Sequence, residues 1–153
     1  MMSISELQLF VRDYEAAWNT LNPEALFALF DPDWPDPIYL PEENRHALEG
    51  YAEIKKYWDF CEEFIASVKL TVEGLPRAIA LSDHLTLLVY GFHLDSALKL
   101  YAPMGFKPLG TDIRVFAISR RTSAGWRLIA YFEGSMGPMG LLRRLLESQV
   151  RPG

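Results

Sequence analysis

Basic residues are too few and too dispersed to form a nucleic-acid footprint: 15 Lys and Arg stand against 20 Asp and Glu, and the net charge is -5. DNA and RNA are therefore not expected as partners. A single cysteine, Cys61, excludes an internal disulfide and, on its apolar helical stripe, reads as buried and inert rather than as a nucleophile. No apolar run is long enough to cross a bilayer, because Asp, Glu, Lys or Arg interrupts every candidate. Residues 1–10 lack the basic, apolar and small-residue series of a secretory signal, so a cytoplasmic location and no membrane partner are expected. His46, His84 and His93 have no neighbouring cysteine and no histidine one helical turn away, so no metal and no cofactor is expected. Gly134, Gly137 and Gly140 superficially resemble an anion loop, but the lysine and the strand-to-helix context of such loops are missing. Repeats and interdomain linkers are absent too, and residues 1–153 read as one domain.

What the chain does have is apolar and aromatic mass. Hydrophobic residues make up 50% and charged residues 23%, which is the composition of a folded domain with its own core. Aromatic residues reach 13%, more than core packing of an ordinary domain demands, and this excess is where a binding function is sought.

Apolar residues at Ile4, Leu7, Val11, Tyr14, Trp18 and Leu21 alternate three and four apart, which predicts an amphipathic helix over 4–21. Asn22-Pro23-Glu24 reads as a cap, a first-turn proline and an acidic first turn, opening a short helix to about residue 30. Three prolines between 31 and 37 exclude helix there, and 38–40 is extended. Residues 41–46 read as a solvated loop, and a third helix starts at 49 or 50 with Ile54, Trp58, Cys61 and Ile65 on one stripe.

The period then changes to two. Val68, Leu70 and Val72 alternate with polar residues, 77–81 is a candidate partner strand, and 85–94 is a long β-rich run. Segments 111–121 and 126–133 flank Thr122-Ser123-Ala124-Gly125, which is hairpin chemistry. Residues 96–110 are long for a hairpin connection and are a candidate flap, and 141–147 a short terminal helix. Helices followed by a strand meander define an α+β domain in which helices cover one face of a curved antiparallel sheet. The late strands are apolar on both faces, with Ile113, Val115 and Ala117 opposed to Phe116 and Ile118. A second copy of the chain is the expected cover for the outer face, giving a homodimer.

Together these segments resemble the nuclear transport factor 2-like superfamily, which includes SnoaL-like polyketide cyclases and ketosteroid isomerases. The carriers are Asp13-Tyr14-Glu15-Ala16-Ala17-Trp18, Asn22-Pro23-Glu24-Ala25-Leu26, Asp36-Pro37, Leu48-Glu49-Gly50-Tyr51-Ala52-Glu53-Ile54 and Gly125-Trp126-Arg127-Leu128, in that order over nearly the whole chain. The resemblance implies a cone-shaped roll, nuclear transport factor 2-like or cystatin-like. A curved, mostly antiparallel mixed sheet would wrap around N-terminal helices and enclose an apolar pocket. It also implies roles: Tyr14 as hydrogen-bond donor to an oxyanion, and Asp36 as the carboxylate that moves a proton. The second donor position of the isomerases aligns with Ala117 or Ile118, neither of which can donate from its side chain.

The residues themselves support candidates with open alternatives. Asp36, between prolines, is a general base if buried and a turn or loop acid if not, with Asp31 and Asp33 as rivals. Tyr14 either aims its hydroxyl into a cavity or packs in the core. Trp18, Trp34, Tyr57, Trp58, Tyr90, Phe116 and Tyr131 either line a pocket for a flat hydrophobic ligand or build the core. His93 is a candidate acid/base, or a structural histidine. Glu133 shares a face with Tyr131 and is a second carboxylate candidate, or an edge charge. The function expected is a pocket for a small hydrophobic, carbonyl-bearing molecule, with enolisation chemistry of the isomerase or aldol-cyclase kind. The alternative is a ligand-binding or dimeric assembly module without catalysis.

Overall fold

A computed structural model describes residues 1–100, 102–105 and 108–135. Three helices precede most of a six-stranded sheet. They are α1 (Ile4–Asn19), α2 (Pro23–Phe27) and α3 (Tyr51–Phe64), and the strands are β1 (Ile38–Leu40), β2 (Leu48–Glu49), β3 (Ile65–Ala80), β4 (Leu85–Leu98), β5 (Leu109–Thr122) and β6 (Gly125–Ser135). The sheet order is β2-β1-β6-β5-β4-β3, and every pairing is antiparallel except β1 with β6. The sheet is therefore mixed and not closed, with the helices packed on its inner face, which is the α+β architecture expected.

Local chemistry explains the boundaries. Ser3 and Glu6 form a reciprocal capping box that starts α1, and Leu7, Phe10, Val11, Tyr14, Ala17 and Trp18 form its buried stripe. Asn22 caps α2 by accepting from the Ala25 amide at 3.0 Å. Gly50, at φ 82°, makes the left-handed turn into α3, a conformation a side chain would strain. Asn19 holds α1 to the sheet by donating to the Leu70 carbonyl at 3.0 Å and accepting from the Leu70 amide at 2.6 Å.

Two expectations change. The segments at 68–72 and 77–81 are not partners of each other; both lie on β3 and pair with β4, with a register shift between Glu73 and Arg77. Gly74, at φ 70°, and Pro76 lie in the bulge between them, within one continuing strand. The candidate flap shrinks, because β4 and β5 continue pairing to Ser96 and Leu109. The expected terminal helix at 141–147 lies outside the described residues, as do residues 101, 106 and 107 of the former flap.

The proline-rich segment is anchored by Asp31, which is fully buried. Its carboxylate accepts from Arg120 of β5 and from the Asp33 amide, and the Arg120 guanidinium lies 5.5 Å from the centre of the Trp34 ring. Removing the cation leaves a buried carboxylate uncompensated. Arg120→Met is expected to lower unfolding stability by about 3 kcal/mol, read by urea denaturation.

Candidate functional site

The inner face of the sheet carries a cluster of tyrosines around one carboxylate. Register places Tyr39 of β1 beside Tyr131 of β6, Tyr131 beside Ala117, and Glu133 beside Val115, which in turn pairs with Tyr90. The period-two alternation of β6 sends Tyr131 and Glu133 to one face, and α1 lays Tyr14 across them. Tyr14 donates to Glu133 Oε1 at 2.9 Å, and Tyr39 donates to the same oxygen at 3.1 Å. Behind them the Tyr90 and Tyr131 hydroxyls share a hydrogen bond of 2.6 Å. The Tyr14 ring stacks on Tyr131 with centroids 5.0 Å apart.

Glu133 also lines a cavity of about 360 Å³. Its walls are mainly apolar: Trp18 from α1, Tyr57, Phe60, Cys61 and Phe64 from α3, and Leu70, Phe92, Leu94 and Ile113 from the sheet. Glu42 and Glu43 from the loop after β1 also line it, and Tyr57 donates to Glu43 at 2.6 Å.

The electrostatics of this wall are dominated by burial. Removal from water pushes the Glu133 carboxyl up to about 8; the hydrogen bonds from Tyr14 and Tyr39 pull it down but do not offset burial, and Glu43 and Glu42 add repulsion. The tyrosines are driven well above their ordinary value by burial first and by the Glu133 charge second, so Tyr14 and Tyr39 keep their protons and donate. Burial also raises the Cys61 thiol to about 11, which keeps it in the unreactive protonated form.

Tyr14, Trp18, Tyr57, Tyr90, Tyr131 and Glu133 are thus brought together, as cavity wall or as the hydrogen-bonded layer behind it. The remaining sequence candidates stand elsewhere. Asp36 is exposed, and Asp33 is exposed as well. Asp31 is consumed by Arg120. Trp34 covers that ion pair, and Trp58 is buried against Phe27, Phe30 and Tyr39. Phe116 and His93 lie on the opposite face of the sheet: Phe116 alternates with buried Val115 and Ala117, and His93 with buried Phe92. His93 contacts Asp112 and Asp95 instead of the cavity. Tyr39, Glu42 and Glu43 were not foreseen. Tyr39 follows the Asp36-Pro37 pair by two residues, but its part in the site depends on a parallel pairing across most of the chain.

No family model and no curated protein matches the sequence. Solved structures do match in fold. A nuclear transport factor 2-like superfamily protein from Salmonella enterica superposes with a TM-score of 0.72 at 12% identity, over 88% of this chain and 95% of that one. An uncharacterised protein with a cystatin-like fold from Caulobacter vibrioides gives a TM-score of 0.71 at 17% identity, over 94% and 96% of the two chains. A ketosteroid isomerase-like protein from Erwinia carotovora gives 0.66 at 13% identity, over 88% and 97%. The chain has the nuclear transport factor 2-like fold.

The raised Glu133 carboxyl has a consequence for stability. An unfolded chain ionises this group near its ordinary value of 4.5, whereas the folded protein holds its proton to about 8. Between those values the unfolded state binds fewer protons, so stability falls as pH rises. Glu133→Gln is expected to flatten the loss of Tm between pH 5 and pH 8, measured by thermal unfolding in parallel with the parent chain.

Proposed function

We propose that the chain binds a hydrophobic, carbonyl-bearing small molecule in the cavity beside Glu133 and that Glu133 moves a proton on it. The observation that carries this reading is the placement of one carboxylate on an apolar cavity wall. Two tyrosine hydroxyls converge on a single oxygen of it, Oε1. Oε2 takes neither of those hydrogen bonds. A carboxylate with a value of about 8 is a stronger base than a solvated one, at the cost of being mostly protonated at neutral pH.

In this reading the ionised carboxylate takes a proton from the carbon next to the ligand carbonyl, forming an enolate. The same proton returns at another carbon in an isomerisation. Alternatively, the enolate carbon attacks a second carbonyl in an aldol closure, and the proton ends on the new alkoxide. Tyr14 and Tyr39 fix the carboxylate by their two hydrogen bonds. Asp36, being exposed, takes no part. The fold shared with a ketosteroid isomerase-like protein is consistent with such chemistry and does not establish it.

Native mass spectrometry of the purified chain tests for a retained apolar ligand. With that ligand class in hand, Glu133→Gln is expected to lower turnover by about 10²–10⁴-fold with affinity within a few fold. The parent chain should show kcat/KM rising with pH towards a plateau above about 8, since the free protein's base must be ionised. Binding without turnover, and with no such pH profile, identifies a binding module instead.

We further infer a homodimer through the outer face of the sheet, supported by exposed Phe116 and Ile79 and half-buried Leu87, Val89 and Ile118 on that face. Light scattering is expected to give a dimer for the parent chain and a monomer for Phe116→Lys.

A further inference from the structure

Enolisation places negative charge on the ligand's carbonyl oxygen, and a site that speeds it holds a hydrogen-bond donor where that charge develops. The resemblance implies Tyr14 for this part. The Tyr14 hydroxyl, however, is turned to Glu133 Oε1 at 2.9 Å, and Tyr39 donates to the same oxygen at 3.1 Å. Tyr57, on the cavity wall, donates to Glu43 at 2.6 Å. Each of these tyrosines lends its one proton to a carboxylate, so the ligand's oxygen needs another donor.

Trp18 supplies one. It lies one turn of α1 after Tyr14, so both project from the same face of the helix, about 6 Å apart along its axis. Trp18 lines the same cavity as Glu133. Its side chain is buried, with 6% exposed, and its indole Nε1–H has no hydrogen-bond partner among the described residues. A buried indole N–H ordinarily finds an acceptor, because leaving it without one costs free energy. An unpartnered atom is not by itself a sign of a ligand, since Tyr51, Trp58, Thr86, Ser119 and Trp126 carry one too. None of those five lines this cavity. Two further side chains on the wall have a proton to donate. Cys61 offers only a weak thiol donor. Ser96 is six residues beyond Tyr90, whose row across the sheet holds Glu133; at about 3.4 Å per residue it stands roughly 20 Å along the sheet from that row.

We infer that the Trp18 indole N–H is the donor that receives the ligand's carbonyl oxygen while Glu133 takes the proton from the adjacent carbon, an inference that rests on the enolisation proposed above. In that step the C–H electron pair becomes the C=C bond, the carbonyl π pair moves to oxygen, and the proton goes to Glu133. The enolate oxygen then accepts from Nε1. Contacts of about 3 Å at each end of the carbonyl and its neighbouring carbon span the single helical turn between Trp18 and the tyrosine that fixes Glu133. Indole donates and cannot accept. The group that docks at Trp18 is therefore an acceptor, a carbonyl of the ketone or ester kind rather than an amine or a hydroxyl that seeks an acceptor of its own. Leu70, Phe92, Leu94 and Ile113 on the sheet wall add no side-chain acceptor to compete for the N–H, and an apolar wall strengthens the bond it makes.

Two probes of one shape separate the parts: 2-acetylnaphthalene, a ketone whose methyl hydrogens lie next to the carbonyl, and 2-ethylnaphthalene, the hydrocarbon without it. In ¹⁵N NMR of the unmodified chain, the Trp18 indole N–H signal is expected to move downfield with the ketone and not with the hydrocarbon. The Trp58 indole signal should stay in place with both. In D₂O the chain is expected to speed exchange of the ketone's methyl hydrogens, Glu133→Gln to abolish that exchange, and Trp18→Phe to slow it by about 10²–10³-fold. Affinity of Trp18→Phe for 2-ethylnaphthalene should stay within a few fold of the parent's, which shows that the cavity survives the substitution. A Trp18 signal that moves alike with both probes overturns the inference, and so does exchange that survives Trp18→Phe unchanged; both results leave the role of Glu133 standing. Absence of exchange in the parent chain, with a Trp18 shift confined to the ketone, overturns the enolisation reading and keeps Trp18 as the carbonyl donor of a binding site. Failure of both probes to bind overturns the two together. The NMR comparison uses the unmodified chain and holds even where Trp18→Phe does not fold.

Discussion

The inner architecture depends on one constraint: a carboxylate placed among aromatic rings must be satisfied there. Glu133 is removed from most of its water, and among the described residues the groups that donate to its Oε1 are phenolic hydroxyls from α1 and β1. An orphaned buried acceptor costs more than a typical hydrogen bond contributes, so the two tyrosines are not free to drift. Their positions set how α1 lies on the sheet and how β1 docks beside β6. The same burial that makes Glu133 expensive makes it chemically useful, because it brings its protonation into the neutral range.

The sheet separates two kinds of chemistry by its alternation alone. Along β4, Leu88, Tyr90 and Phe92 face the helices and are buried, while Val89, Gly91, His93 and Asp95 face outward. One strand thus serves an aromatic interior and a polar exterior without any loop between them. The outer face is itself divided, with apolar side chains towards one end of the strands and His93, Asp95 and Asp112 towards the other. Among the described residues, no helix is long and apolar enough to cross a membrane.

Much of this was legible in the sequence, and the exceptions have physical causes. The three helices follow from the stripe of Leu7, Val11, Tyr14 and Trp18, the Asn22-Pro23 start and the stripe of Ile54, Trp58 and Cys61. The final hairpin follows from Thr122 to Gly125. The unity of β3 was hidden because Gly74 and Pro76 serve a bulge as readily as a turn. The two-residue strand β2 carries no period. Of the site, Tyr14 and Glu133 were visible singly, Glu133 through its alternation with Tyr131. Their meeting was not visible, and neither was the part of Tyr39, because a parallel pairing of β1 with β6 leaves no local mark. Strict alternation separates His93 from Phe92, its immediate neighbour, and Phe116 from Ala117. Asp36 is a case where type and neighbours suggested chemistry, and its side chain is exposed, apart from the cavity that Glu133 lines. The meeting of Glu73, His93 and Asp112 on the outer face escapes any search by spacing, since register across three strands brings them together.

The parallel docking of β1 against β6 has a further consequence for how the chain reaches this state. Tyr14 and Glu133 are separated by 119 residues, and Tyr39 and Glu133 by 94. During synthesis the apolar stripe of α1 emerges early, while the last strand it packs against emerges late. Helices form in about a microsecond, but the long loop closure that completes the core waits for β6. Until then the N-terminal half exposes Phe10, Trp18 and Tyr39, the kind of surface that holding chaperones recognise. A chain interrupted before β6 therefore has no native-like core of lesser size to fall back on. It lacks the strand that lies between β1 and β5, and so the join between the two halves of the sheet.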